Sequence, residues 1–391
     1  MSSFLVTDIG CLVTNDPVFD GTPLGIISDA ALGVTDGKVS WIGTAGEAKT
    51  SDYQNVVSTK GKAVIPGFID SHNHLIFAGD RASEFSARMQ GQPYAAGGIN
   101  YTVEQTRNAS DDQLRANAAA LVNEGLTSGT TSVEIKSGYG LTIADELRSL
   151  QIAREFSDET TFLGAHVVPS EFKSAPEDYV AMLCGPMLEA VAPYAKWIDV
   201  FCDRGAFTPE QTRQILKAGI DKGLLPRLHA NQLEPGEGIK VGVELGAASV
   251  DHISHFNDQD IAALSNSNTV ATFLPGAEFS TRSKYPDARP ILEAGINVAI
   301  ASDCNPGSSY TTNMSLMIAL AVREMFFTPE QALWSATKGG ALALRRADVG
   351  HLGIGANADF AILGSSSYLH LAYRPGVNLV ERVWRNGKQV G

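Results

Sequence analysis

In FIDSHNHLIFAGDR, residues 68–81, two histidines stand one residue apart at the end of an apolar run, with Arg81 close behind. On an extended chain, side chains at i and i+2 point to the same side. His72 and His74 can therefore present two imidazole nitrogens to one ion while Asn73 turns the other way. A lone pair of histidines says little, but other chemically awkward residues also fall at or just after the ends of apolar runs. Tyr139 follows the second run, His166 ends the third, His229 the fifth, His252 the sixth and Asp303 the eighth. Three imidazoles (His72, His74, His229) with the Asp303 carboxylate leave room for a water on one divalent or trivalent ion, zinc or iron. Such an ion brings the pKa of its water close to neutrality. Asp303 can take that proton and later hand it to a leaving group, and His252 can stabilise a carbonyl oxygen as charge develops on it.

Residues that converge from so many runs need a fold that brings strand ends to one rim. Eight short apolar runs, from AVIPGFIDSHNH to NVAIASDCNPG, alternate with helix-like stretches such as SDDQLRANAAALVNEG, TPEQTRQILKAGIDKG and the segment from Met314 to Met325. Strand-plus-helix units in series predict an α/β fold, a parallel (β/α)8 TIM-like barrel, with catalytic groups at the C-terminal ends of its strands. The chain ends read differently: GKVSWIG, ADFAILG and LVERVWRNGKQV look like antiparallel strands separated by turns. We expect residues 1–62 and 345–391 to form a composite β-sandwich domain and residues 63–344 to form the barrel.

The totals limit what else the chain can be. At 391 residues it can bury a large core, and no apolar stretch approaches the roughly 18 residues that a membrane span requires. A formal charge of −13 without a basic cluster disfavours nucleic acid; it says little about a small-molecule substrate, because one buried arginine can bind a carboxylate whatever the surface charge is. The N-terminus has no secretory pattern, so a cytoplasmic location and no membrane partner are expected. Cys11, Cys184, Cys202 and Cys304 form no CxxC pair and read as reduced thiols. His255 lies past a strand end, and His351 and His370 fall in the C-terminal segment; surface or structural roles suit all three.

Together PGFIDSHNHLIFAGDR, IKSGYGL, GAHVVPSEF, HANQ, VDH and ASDCNPG resemble the amidohydrolase superfamily over nearly the whole chain. Within it, FAGDR, KSGYGL and SDCNPGSS resemble the members that open an imidazolone ring bearing a propionate chain in histidine degradation. The resemblance implies that Arg81, Tyr139 and His166 bind that substrate, with Arg81 on its carboxylate tail, and that Asn305, Gly307 and Ser308 hold the ring or the product. Tyr94, in QGQPY, joins them, although YAAGGINYTVEQTR is shorter than the related stretch and alters the expected lid. Superfamily deaminases show HxxE after the fifth strand, whereas this chain has Gln232. An amide cannot serve as general acid or base but can hydrogen-bond a ring N–H or C=O, so Gln232 is expected among the catalytic and substrate-contacting groups.

Binuclear relatives use a carboxylated lysine after the fourth strand. The run WIDVFCDRGAF offers none, which implies a single ion, and Lys136 is expected to orient a loop. The resemblance also implies a homodimer. Two other readings remain at this point: a deaminase of an aminated heterocycle, disfavoured by Gln232, and a barrel that only binds, disfavoured by the intact His72, His74, His229, His252 and Asp303.

Overall fold

A computed structural model of the chain describes residues 3–92 and 98–390. The chain forms two compact units, one of residues 1–70, 123–132 and 313–391, the other of residues 71–122 and 133–312.

The first unit contains a mixed sheet assembled from both chain ends. Ser3–Val13, Ile26–Thr35 and Lys38–Thr44 pair antiparallel in series, and Phe360–Leu363, Val380–Arg385 and Lys388–Gln389 do the same. Ala63–Pro66 joins the two sets, parallel to the first strand and antiparallel to Phe360–Leu363. Two tight turns show why the ends fold this way. Asp36 and Gly37 have φ of 48° and 80°, and Asn386 and Gly387 have 49° and 70°. Asp-Gly and Asn-Gly supply the paired left-handed conformations of a hairpin turn whose twist matches that of the flanking strands. Inside this sheet Phe360 stacks on Trp384 with ring centroids 4.8 Å apart, among buried Leu12, Val34, Val64 and Ile362.

The barrel strands are β1 (Phe68–Asp70), β2 (Thr130–Val133), β3 (Thr160–Ala165), β4 (Trp197–Cys202), β5 (Leu228–Ala230), β6 (Ser249–His252), β7 (Val270–Phe273) and β8 (Val298–Ile300). The run AVIPGFIDSHNH is thus divided, its first part in the sheet of the chain ends and its second in β1. β1 pairs with β2, and a short continuation of the second run, Ile135–Lys136, pairs with β3. From that continuation to β8 every pairing is parallel. Their residues are buried on both faces, which explains the near-continuous apolar runs.

The ring closes through the segment after β1. The Asp303 N–H donates to His72 O at 3.0 Å, the His74 N–H to Cys304 O at 3.0 Å and the Lys136 N–H to Asn73 O at 2.8 Å. The result is the expected (β/α)8 barrel, with a separate sheet from the chain ends. Crossover helices include Ile143–Arg154, where Thr142 caps Asp145 N–H, and Pro209–Asp221, which begins with a reciprocal Thr208/Gln211 capping box. The cysteines form no disulfide. Among the described residues no helix is long and apolar enough to cross a membrane.

Candidate active site

β5 and β6 stand in parallel register, with Ala230 opposite His252, and His229 lies opposite Phe201 of β4. This alignment puts the ends of successive strands at one level. Beyond them the backbone turns sharply: Asn231, His252 and Asp303 have φ of 53°, 77° and 52°. Left-handed backbone at a residue other than glycine costs about 1–3 kcal/mol. It is retained here where His252 and Asp303 must face the rim.

The imidazoles of His72, His74 and His229 meet at their Nε2 atoms. His74 Nε2 is 3.3 Å from His72 Nε2 and 3.3 Å from His229 Nε2, and Asp303 Oδ1 lies 3.4 Å from His74 Nε2 and 3.6 Å from His72 Nε2. His72 Nδ1 donates to Asp251 Oδ2 at 2.8 Å, and His229 Nδ1 faces Asp199 Oδ2 at 3.0 Å. With the protons of His72 and His229 on Nδ1, their Nε2 lone pairs both face the cluster, where a cation could bind them together with His74 Nε2. A tetrahedral ion with nitrogens at about 2.0–2.1 Å would separate those nitrogens by about 3.3–3.4 Å. The donor set and its spacing therefore fit a metal. His72, His229 and His252 form a second group whose ligand atoms lie within 4.8 Å of one another.

The surrounding charges agree with that fit. Lys136 Nζ donates to Glu134 Oε1 and Asp199 Oδ2, both at 2.9 Å, and Arg227 Nη2 to Asp251 Oδ2 at 3.2 Å, all fully buried. Asp199, Asp251, Glu134 and Asp303 set four negative charges against two positive ones, Lys136 and Arg227. A buried imbalance of this kind is costly unless a cation offsets it. Lys136, expected to orient a loop, instead bridges two carboxylates that support the site. Glu134 also accepts the Asn73 N–H at 3.0 Å, holding the residue between the two histidines.

Burial lowers the pKa of His72, His74 and His166 well below the ordinary histidine value and pushes His252 down to about 3, so His252 is a neutral imidazole. Burial raises the pKa of Asp303 above the ordinary carboxylate range. Its other oxygen, Oδ2, receives the Ser308 hydroxyl at 3.3 Å.

A pocket lies over these groups, lined by His74, Arg81, Tyr139, His166, His229, Gln232, His252, Asp303, Asn305 and Ser308, with Ile99 and Phe201. The His166 ring stacks on His74 with centroids 5.3 Å apart, and Tyr139 lies 5.3 Å from His166. Arg81 donates through Nε and Nη2 to Glu84 at 2.6 and 2.7 Å. A Cβ on Gly307 would stand 2.4 Å from Arg81 Nη1, so Gly307 makes space for the guanidinium. The Asn305 side chain accepts from Gly307 and Ser308 N–H, each at 2.8 Å, and donates to Asp303 O at 2.6 Å; it shapes this loop. Gln232 is anchored through its own N–H, 2.7 Å from Asp203 Oδ2. Tyr94 lies outside the described residues. His255 is half-buried and its N–H donates to Asn231 O at 3.0 Å, whereas His351 Nε2 donates to Ala347 O at 2.8 Å.

Sequence reasoning missed Glu84, Asp199, Asp251, Glu134 and Arg227. A signal existed: Asp199, Arg227 and Asp251 are charges inside runs that otherwise read as fully buried strand, and a buried charge needs a partner. Glu278 was also missed. The Ser254 hydroxyl donates to it at 2.6 Å, and burial raises its pKa to about 7.

The sequence profile of the amidohydrolase family matches residues 63–390. An imidazolonepropionase from Mycolicibacterium smegmatis is 58% identical over 390 residues, covering 100% of this chain and 98% of the relative. One from Salinispora tropica is 60% identical over 389 residues, covering 99% and 98%. Among solved structures, guanine deaminase from C. acetobutylicum superposes with a TM-score of 0.76 at 15% identity, covering all of both chains. Atrazine chlorohydrolase from Arthrobacter aurescens, complexed with zinc, gives 0.72 at 17%, covering 99% of this chain and 94% of its own. At such low identity the solved structures support the fold alone.

Two predictions follow from the geometry and the charges. Asp251→Asn removes the carboxylate behind His72 and is expected to weaken metal retention about 10–100-fold. Chelator competition with metal content per chain measures it; unchanged affinity would rule out the orienting role. For Glu278 the sign follows from its raised pKa, since the native state keeps a proton that the unfolded chain releases at lower pH. Its contribution is therefore full below the unfolded value and lost as pH rises through about 7. Glu278→Gln should thus gain thermal stability relative to the parent between about pH 5 and about pH 8; a constant difference across that range would contradict the assignment.

Proposed function

Because the chain belongs to the amidohydrolase family and matches imidazolonepropionases along its full length, we propose that it hydrolyses 4-imidazolone-5-propanoate to N-formimidoyl-L-glutamate. It is an enzyme of the hydrolase class, and the bond broken is a cyclic amide C–N bond. The observation that carries the mechanism is the meeting of three imidazole Nε2 atoms and the Asp303 carboxylate at 3.3–3.6 Å beneath a pocket that contains an arginine.

We propose His72, His74, His229 and Asp303 as the metal ligands. The charge count favours one divalent ion, zinc or iron, and when bound it supplies an acidified water as nucleophile. Asp303 is placed to accept a proton from the attacking water as its oxygen bonds to the ring carbon. His252 donates a hydrogen bond to the carbonyl oxygen as negative charge gathers there; its Nδ1 is buried without a protein partner among the described residues. As the C–N bond breaks, the proton on Asp303 passes to the departing nitrogen, which leaves as a neutral N–H and returns Asp303 to its carboxylate form, while the ring carbonyl becomes a carboxyl group.

Arg81 anchors the propionate. Its Nε/Nη2 edge is already held by Glu84, which orients the guanidinium before substrate arrives. Tyr139 and His166 contact the ring, and Gln232 bonds a ring N–H or C=O without exchanging a proton. Asn305, Gly307 and Ser308 shape the wall beside Asp303. Tyr94 is retained as a substrate contact on the resemblance alone. We further propose a cytoplasmic homodimer with neither nucleic-acid nor membrane partners, and a division into a composite domain of residues 1–62 and 345–391 and a barrel domain of residues 63–344.

The test is turnover of 4-imidazolone-5-propanoate by purified, metal-loaded protein. Formimidoyl-glutamate should accumulate without ammonia, and Asp303→Asn should lower kcat by about 10²-fold or more. Absence of turnover, or ammonia in step with substrate loss, would reject the reading.

A further inference from the structure

The loop carrying Tyr139 has no regular structure from Ser137 to Leu141, and it wraps a carboxylate that the chemistry above does not use. We propose that Glu146 is the positioning residue that sets Tyr139 and His166 in the substrate pocket. This rests on the reading of that pocket given above.

Glu146 is fully buried in the first turns of the helix Ile143–Arg154, where the positive end of the helix dipole favours a negative charge. Its Oε2 accepts the Gly138 N–H at 3.1 Å, and its Oε1 accepts those of Gly140 and Leu141 at 2.9 and 2.8 Å. Successive backbone N–H groups curled around an anion form a nest; here the anion is the protein's own side chain. Both peptide neighbours of Tyr139 are thus tied to one carboxylate. The turn needs unusual backbone: Gly138 has φ of 113° and Leu141 of 55°. Without the carboxylate, three buried N–H donors would lose their acceptor.

The same anchor reaches His166. The Gly138 carbonyl lies 3.0 Å from His166 Nδ1. A carbonyl only accepts, so Nδ1 carries the proton and Nε2 is the ring nitrogen left for the substrate. Glu146 fixes the Gly138 N–H, Gly138 O fixes the His166 tautomer, and the Tyr139 ring lies beside His166 with centroids 5.3 Å apart. A glutamine would fit the space, but its NH₂ would replace one acceptor with a donor facing backbone N–H groups. The negative charge and paired acceptors are therefore the feature that matters.

The experiment compares Glu146→Gln, Tyr139→Phe, His166→Ala and the two double variants that contain Glu146→Gln, all metal-loaded. Glu146→Gln should keep its metal content and raise KM about 10–100-fold with a smaller change in kcat. Added to His166→Ala or Tyr139→Phe, it should cost much less than it does alone, because the groups act as one unit. Equal cost in every background, or an unchanged KM, overturns the proposal. If Tyr139→Phe and His166→Ala themselves leave KM unchanged, the pocket reading fails first and takes the proposal with it.

The unaltered protein gives a readout that does not require a variant to fold. Histidine ¹⁵N NMR should show His166 protonated on Nδ1 and not on Nε2, and the opposite tautomer would overturn the proposal.

Discussion

Nitrogen lone pairs do not gather at van der Waals distance by choice. The Nε2 atoms of His72, His74 and His229 converge because Asp251 and Asp199 face the opposite ring nitrogens of His72 and His229, and a cation between them would turn that convergence into binding. Much of the interior polar structure serves this constraint. Lys136 and Arg227 prevent the supporting carboxylates from repelling one another, and Glu134 holds the backbone between the two histidines of the HNH motif. These charged side chains are fully buried in the barrel, and each would be destabilising alone.

The barrel supplies what the constraint demands. Parallel strands in register bring residues far apart in sequence to one rim, and the segment after β1 closes the ring through hydrogen bonds to Asp303, Cys304 and Lys136. Closure and the proposed metal site share their parts: His72, His74 and Asp303 are themselves members of that seam. Ligand geometry and barrel integrity are therefore coupled, and a change at the seam is expected to affect both.

Much of this was legible in the residues. Eight apolar runs gave the barrel because doubly buried parallel strands are continuous in hydrophobicity. The chain ends read as antiparallel strands separated by turns, and the Asp-Gly and Asn-Gly pairs found at two of those turns have the left-handed backbone that hairpins require. HNH, His229, His252 and Asp303 stood out as polar residues at run ends. Glu84, Glu146 and Glu278 did not, because an acid in a helix normally faces solvent and nothing in its neighbours reveals a buried partner. Asp199, Arg227 and Asp251 lay between: their position inside apolar runs was a warning, but their partners were set by strand register and not by sequence spacing.

X-ray absorption at the metal edge of the purified protein tests the central claim most directly. The account predicts one ion per chain whose inner shell is fitted by three imidazole nitrogens with additional oxygen, at about 2.0–2.2 Å. A second ion, a sulfur ligand, or a shell with fewer than three imidazoles would contradict it.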